Sequence, residues 1–465
     1  MDFTNIYFWA ALLPGLLFIA LVGKGLLGHQ ETLRSCFEKY ALLVLSLSLL
    51  GMTSGLTLAI FLCVALTAWL GVRMAQQWPL RRKKMWLWVI IPLLLIPLLY
   101  YKYSYFLGQQ ILGQEWSTLK NLIIPVGLSF YTFQKISFCI DTLSRGYSLP
   151  RFIDFLNFAS FFPQIVAGPI ERRDSLLPQM ENLKLEWKAG HMDLGLRYIV
   201  LGLFFKLCLA DNIATGFAGE PTNNAWLIWR DNIAFGLRIY FDFAGYGLIA
   251  YGLARVLGIS ITMNFASPYT ATNITEFWRR WHISLTGWFR DYLYFNIGGS
   301  RTKWWAANIV FVFLVSGLWH GSAWNFVLWG GLSGVAMVIH RLYRKTGWKM
   351  WPPLGYVLTM LAMAYIWMFF YESDTSALWE KTKILADFTS YADGWRALLA
   401  IKTQTLLFPF FFVLCASVVY LERLSQRRTG DPYAWLASPV ACGVWIILTV
   451  VFGAGSNNAF IYFSF

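Results

Sequence analysis

Charge is what this chain has least of. Only 13% of its 465 residues are Asp, Glu, Lys or Arg, where an ordinary soluble domain has about a quarter. That shortage, with 57% hydrophobic residues and a mean hydropathy of +0.52, excludes a soluble globular protein. Cysteine pairs are also lacking. Cys36, Cys63, Cys139, Cys208, Cys415 and Cys442 are scattered with no CxxC spacing, so neither a disulfide framework nor a metal site is expected. Short alternating segments of the kind that build a membrane β-barrel are missing too. The N-terminus has no basic region or small-residue cleavage site, so Ile6–Val22 is expected to be a retained first span. Acidic residues are outnumbered, giving a net charge of +14, yet nucleic acid is not the expected partner. In so apolar a chain, surplus Lys and Arg mark the cytosolic loops.

Apolar stretches long enough to cross a bilayer recur from end to end. Hydropathy gives about twelve: 6–23, 40–52, 55–72, 85–101, 119–140, 192–212, 225–254, 304–319, 323–340, 354–371, 404–421 and 434–453. The expected fold class is therefore all-α, a polytopic membrane protein of about 11–12 transmembrane helices. Segments 152–170 and 271–299 are aromatic but interrupted, and read as re-entrant or interfacial elements whose backbone protein must shield. The run Arg81-Arg82-Lys83-Lys84 should be cytosolic, and alternating outward from it collects most of the 38 Lys and Arg residues on that side. Both termini then face outward.

His320 stands in the most informative run, Val310-Phe-Val-Phe-Leu-Val-Ser-Gly-Leu-Trp-His320-Gly-Ser-Ala-Trp-Asn325. An ionisable ring in so apolar a stretch is a functional candidate, because burying one in hydrocarbon is costly. Desolvation keeps an imidazole neutral, the form a general base needs. The stretch Trp304–His340 is too long for one span and is flanked by basic residues, Arg301 and Lys303 before it and Arg341 and Arg344 after, a cytosolic face that suits an anionic ligand such as a coenzyme; Gly317, Gly321 and Ser322 supply a break. At 1.5 Å per residue, His320 should lie roughly 25 Å above the cytosolic edge.

The longest polar insertion runs Glu276-Phe-Trp-Arg-Arg-Trp-His282-Ile-Ser-Leu-Thr-Gly-Trp-Phe-Arg290. On one continuous helix Trp278, His282 and Leu285 would share a face, with Arg279 and Arg280 projecting elsewhere. An interfacial amphipathic helix explains the arginines equally well. Arg238 and Asp242, four apart, are expected to form a structural ion pair, and Gln134 and Gln164 to bond neighbouring helices. His29, His191 and His340 are assigned no role.

These blocks resemble the membrane-bound O-acyltransferases, in particular the bacterial branch that acts on alginate. The resemblance rests on Pro125-Val-Gly-Leu-Ser-Phe-Tyr-Thr-Phe-Gln134, Phe161-Phe-Pro-Gln-Ile-Val-Ala-Gly-Pro-Ile170, Tyr240-Phe-Asp-Phe-Ala-Gly-Tyr246, Asn264-Phe-Ala-Ser-Pro-Tyr269, Phe277-Trp-Arg-Arg-Trp-His282, Gly317-Leu-Trp-His-Gly321 and Phe460-Ile-Tyr-Phe-Ser-Phe465. It covers residues from about 120 onward, and the first hundred match only as hydrophobic spans. One departure is that Gly247-Leu-Ile follows Tyr246 where relatives often carry Ser-Asp-Met.

The resemblance implies a single membrane-embedded acyltransferase domain over 1–465, with N-terminal spans 1–118, a core 119–345 and C-terminal spans 346–465. It implies catalytic roles for His320 and His282. The residues themselves add the expectation that His282, with Trp319 or Asn325, positions the thioester, and that Trp278, Arg279, Arg280 and Arg290 lie on the donor side, where the arginines would meet phosphates or lipid headgroups. The expected donor is acetyl-coenzyme A or another acyl thioester, with no tightly bound cofactor and no metal. The expected reaction is O-acetylation of a cell-surface polysaccharide at the bacterial inner membrane, alongside a periplasmic acetyltransferase and polysaccharide synthase machinery. D-alanyl transfer to teichoic acid is an alternative within the family. A transporter or flippase is the alternative outside it, and would be expected to show inverted repeats, none of which is visible.

Overall fold

The computed structural model describes residues 3–113, 122–215, 224–392, 407–453 and 460–461; these contain helices and connecting turns and no strand. The helices are α1 Ile6–Ala20, α2 Glu31–Gly51, α3 Gly55–Ala75, α4 Leu80–Leu98, α5 Leu128–Arg145, α6 Phe152–Ser160, α7 Arg173–Glu181, α8 Ala189–Leu203 and α9 Ala225–Val256. They continue with α10 Ile274–Arg280, α11 Ile283–Trp288, α12 Trp305–His320, α13 Trp324–Lys345, α14 Pro352–Tyr371, α15 Thr375–Ala386, α16 Leu407–Thr429 and α17 Pro439–Phe452. Each of the twelve expected spans falls on a helix, although 119–121 and 404–406 lie outside the described residues. Among the described residues, six stretches are long and apolar enough to cross a bilayer on their own: Ile6–Leu26, Gly55–Ala75, Leu80–Ile111, Ala225–Val256, Trp324–Lys345 and Pro352–Tyr371.

The chain divides into two compact units. The first holds Met1–Ile199 and Gly247–Met263. Here α2 opens with charged turns, and its buried Glu38 carboxylate accepts from Arg34 Nε at 2.7 Å and from the Leu185 amide at 2.9 Å. Segment 152–170 holds a helix of only nine residues, too short to cross a bilayer. Helix α6 ends at Ser160, and buried irregular backbone follows through residue 168. Carbonyls of the last turn of α6 are met by side chains, as helix ends without continuing partners require. Gln134 and Gln164 both donate to the Phe158 carbonyl, at 3.2 and 3.0 Å, and Nζ of the fully buried Lys135 donates to that of Ala159 at 2.9 Å. Gly127, at φ +76°, lets this backbone approach closely, because a Cβ there would meet the Ile165 carbonyl at 2.8 Å.

The second unit holds Val200–Tyr246 and Asn264–Phe465. Its central feature for function is the hairpin of α12 and α13, turned at Gly321–Ala323 where the sequence predicted a break. The two helices cross closely because a Cβ on Gly317 or Gly330 would run into the carbonyl of Phe326 or Phe313 on the facing helix. Small residues at such crossings are how apolar helices gain packing when lipid offers no hydrophobic driving force.

Candidate active site

His320 is the last residue of α12, at the closed end of the hairpin, and only 5% exposed. Rings surround it: Trp319 at 4.9 Å, Trp329 of α13 at 5.0 Å and Phe370 of α14 at 5.3 Å between centroids. His282 sits in the junction between α10 and α11, with Phe243 at 4.7 Å and Trp319 at 6.1 Å. Trp319 thus packs against both histidines. Outside the spanning helices, burial pushes the His282 imidazole down to about 3, so it is neutral near pH 7.

The expectation of one continuous helix through this block is corrected. The chain leaves helical geometry at Trp281, and His282 takes φ +41°, a left-handed conformation that a non-glycine residue rarely holds. Trp278, His282 and Leu285 therefore do not share a single helical face, yet all three line the same cavity. Its volume is about 720 Å³. Deep in the hairpin it is bounded by His320, Trp329, Ser316 and Phe313. Its other end is bounded by Arg279, Arg290, Arg341, Arg344 and Lys345. Along α13 the twelve steps from Trp329 to Arg341 rise about 18 Å, so the basic collar and the histidine mark opposite ends.

The arginines of the polar block divide in two. Arg279 lines the cavity, as does Arg290, whose guanidinium is held by Asp291 at 2.7 Å. Arg280 does not line it. Its guanidinium is fixed by Glu276 at 2.5 Å and Thr270 at 2.7 Å, which makes it part of the scaffold under α10. The collar residues Arg341, Arg344 and Lys345 belong to the basic end of α13, the face the sequence marked as cytosolic and suited to an anionic ligand. Arg341 and Lys345 lie over the Trp305 ring at 4.5 and 4.6 Å, a placement that joins the two arms of the hairpin. Trp319 and Asn325 are buried beside the site and do not line the cavity.

Asp242 is held in an ion pair, but its partner is not the expected Arg238. Its carboxylate pairs with Lys206 at 2.7 Å and accepts the Ile461 amide at 2.7 Å, while Lys206 also pairs with Asp211 at 2.9 Å. Lys206 reaches it from the π-helical turn Phe204–Ala210, an alignment four-residue spacing along one helix cannot reveal. Among the described residues, no group of three or more His, Cys, Asp or Glu could hold a metal.

Known proteins match this chain over most of its length. The model of the membrane-bound O-acyltransferase family matches residues 82–373. The peptidoglycan O-acetyltransferase of Helicobacter pylori is 28% identical over 449 residues, 85% of either chain. The "Probable alginate O-acetylase AlgI" of Azotobacter vinelandii is 31% identical over 79% of this chain and 76% of its own. The teichoic acid D-alanyltransferase of Bacillus subtilis is 31% identical over 54% of this chain and 67% of its own. The chain belongs to the membrane-bound O-acyltransferase family and is a multi-pass membrane acyltransferase.

Proposed function

We propose that this family member carries an acetyl group from a cytosolic thioester to a hydroxyl on the outer side of the bacterial inner membrane, for O-acetylation of a cell-surface polysaccharide. The observation that carries this reading is the cavity with a collar of Arg279, Arg290, Arg341, Arg344 and Lys345 at one end and His320 at the other. The collar suits the phosphates of coenzyme A, or of a carrier-borne phosphopantetheine, through charge-assisted hydrogen bonds. Both termini face outward in the orientation set by the basic loops.

In this mechanism the alcohol oxygen attacks the thioester carbonyl and His320 takes its proton. The C–S bond of the resulting tetrahedral oxyanion then breaks, and His320 returns the proton to the departing thiolate. A neutral His282 donates no charge but offers a ring N–H toward the reacting carbonyl, the kind of pre-set donor that stabilises an oxyanion. The acceptor is either the glycan itself or a periplasmic acetyltransferase that passes the group on, with polysaccharide synthase machinery nearby. Polysaccharide acetylation is favoured over D-alanylation by the longer matches to relatives named as O-acetylating proteins.

The test is His320→Ala in cells that make an acetylated surface polymer. General-base removal should lower acetylation by roughly 10²–10⁴-fold with the protein still in the membrane. Wild-type acetylation in that strain would refute the assignment.

A further inference from the structure

Acyl groups differ mainly in length, and the deep end of the cavity is built from rings rather than flexible chains. Trp329 is 1% exposed yet borders the cavity, and its indole lies 5.0 Å from His320, 5.6 Å from Trp278 and 5.2 Å from Phe370. Phe313 of α12 borders the same cavity, 5.3 Å from Trp278. These rings have little room to retreat. Gly330, next to Trp329, already meets the Phe313 backbone so closely that no Cβ fits, which fixes the depth at which the indole stands. Close-packed interiors of this kind do not yield to an extra methylene without forcing neighbours from their rotamers.

We propose that Trp329, backed by Trp278 and Phe313, is the residue that limits the transferred acyl group to two carbons. This rests on the acyl-transfer reading above, with the thioester carbonyl beside His320. The acetyl methyl then abuts the Trp329 face, and each further methylene collides with it. One methylene in a fitted apolar pocket is worth roughly 10–200-fold in kcat/KM, so butyryl, with two more, should be disfavoured by at least about 100-fold.

The experiment uses native membranes holding the full chain and its polymer, supplied with radiolabelled acetyl- or butyryl-coenzyme A, and reads alkali-labile label on the glycan. Membranes carrying His320→Ala give the blank. Wild type should incorporate acetyl and almost no butyryl. Trp329→Ala should bring the acetyl-to-butyryl ratio down to about tenfold or less. Phe313→Ala, which opens the same end from the other helix, should shift the ratio in the same direction, and carries the test if Trp329→Ala does not accumulate. If wild type transfers acetyl and neither accumulated variant changes the ratio, the length limit lies elsewhere and the proposal fails while acyl transfer stands. If wild-type membranes add no acetyl above the blank, the transfer reading fails and the limit goes with it.

Discussion

Lys206 offers the sharpest test of how this chain tolerates charge in its interior. Its ammonium is the shared cation of two carboxylates, Asp211 at 2.9 Å and Asp242 at 2.7 Å, and all three side chains are at most 6% exposed. Removing one partner of a buried pair leaves an uncompensated charge, which costs about 3–5 kcal/mol. Lys206→Met strands both carboxylates, so its loss should reach at least that range. Asp242→Asn is milder. Lys206 keeps Asp211, and the amide oxygen at 242 still accepts from the Ile461 N–H, so about 1.5–3 kcal/mol is expected, the worth of one charged hydrogen bond. The double variant should be destabilised by less than the sum of the two, with a coupling of about 1 kcal/mol or more. Equilibrium unfolding in mixed micelles, followed by tryptophan fluorescence, measures all three. If Lys206→Met costs no more than Asp242→Asn, or if the two effects add, the cluster is not one ion-paired unit and the reasoning fails.

Arg279→Ala and Arg280→Ala should separate cleanly despite being neighbours. The first should raise the KM for the acyl donor by about tenfold with kcat and melting temperature little changed, since one charge-assisted contact is worth about 1.5 kcal/mol. The second should lower the melting temperature because Glu276 and Thr270 lose their shared partner. At the hairpin crossing, Gly330→Val should abolish accumulation of folded protein, whereas Gly331→Ala, whose Cβ meets only Leu314 Cδ2 at 3.4 Å, should accumulate normally on fluorescence size-exclusion. For His282 the sign follows from its depressed folded value of about 3. Below about pH 6.5 the unfolded chain takes up a proton there that the folded chain refuses, so stability falls as pH drops toward 4. His282→Gln should flatten that part of a melting-temperature profile, and an unchanged slope would show that the ring is not held neutral by burial.

The spans were legible because twenty apolar residues in a row have one meaning at this composition. The hairpin apex was legible as well, since Gly317 and Gly321 stand where the run is twice too long. Pairings across the chain were not. Lys206 meets Asp242 from another helix, and Glu38 is satisfied by the amide of Leu185, so nothing local marks either residue as buried. The expected Arg238–Asp242 pair failed for the same reason. Four-residue spacing makes a contact available without saying whether a nearer cation arrives from elsewhere. The break at His282 was hidden because the signals for a left-handed residue are Gly and Asn, and neither occurs there. The basic residues after His340 were legible both as a cytosolic helix end and as a face suited to an anionic ligand, but which of them line the cavity depends on how the helices pack, and no local pattern shows that.

Both roles follow from one geometric fact. Helix α12 has 16 residues, about 24 Å of rise, and His320 is its last. A hydrocarbon core is about 30 Å thick, so a basic collar at one end of such a helix and an imidazole at the other belong to different dielectric worlds. On the proposed reading, the charged end of the donor stays among arginines near water, where its phosphates need little desolvation. Only the neutral thioester must enter the ring-lined end. There a neutral base is favoured and an oxyanion interacts strongly with any fixed donor, because field strength rises as the effective dielectric falls. The cost of burying an ion is thereby avoided at the reacting end, and at Lys206, Asp211 and Asp242 it is met by giving each charge a partner.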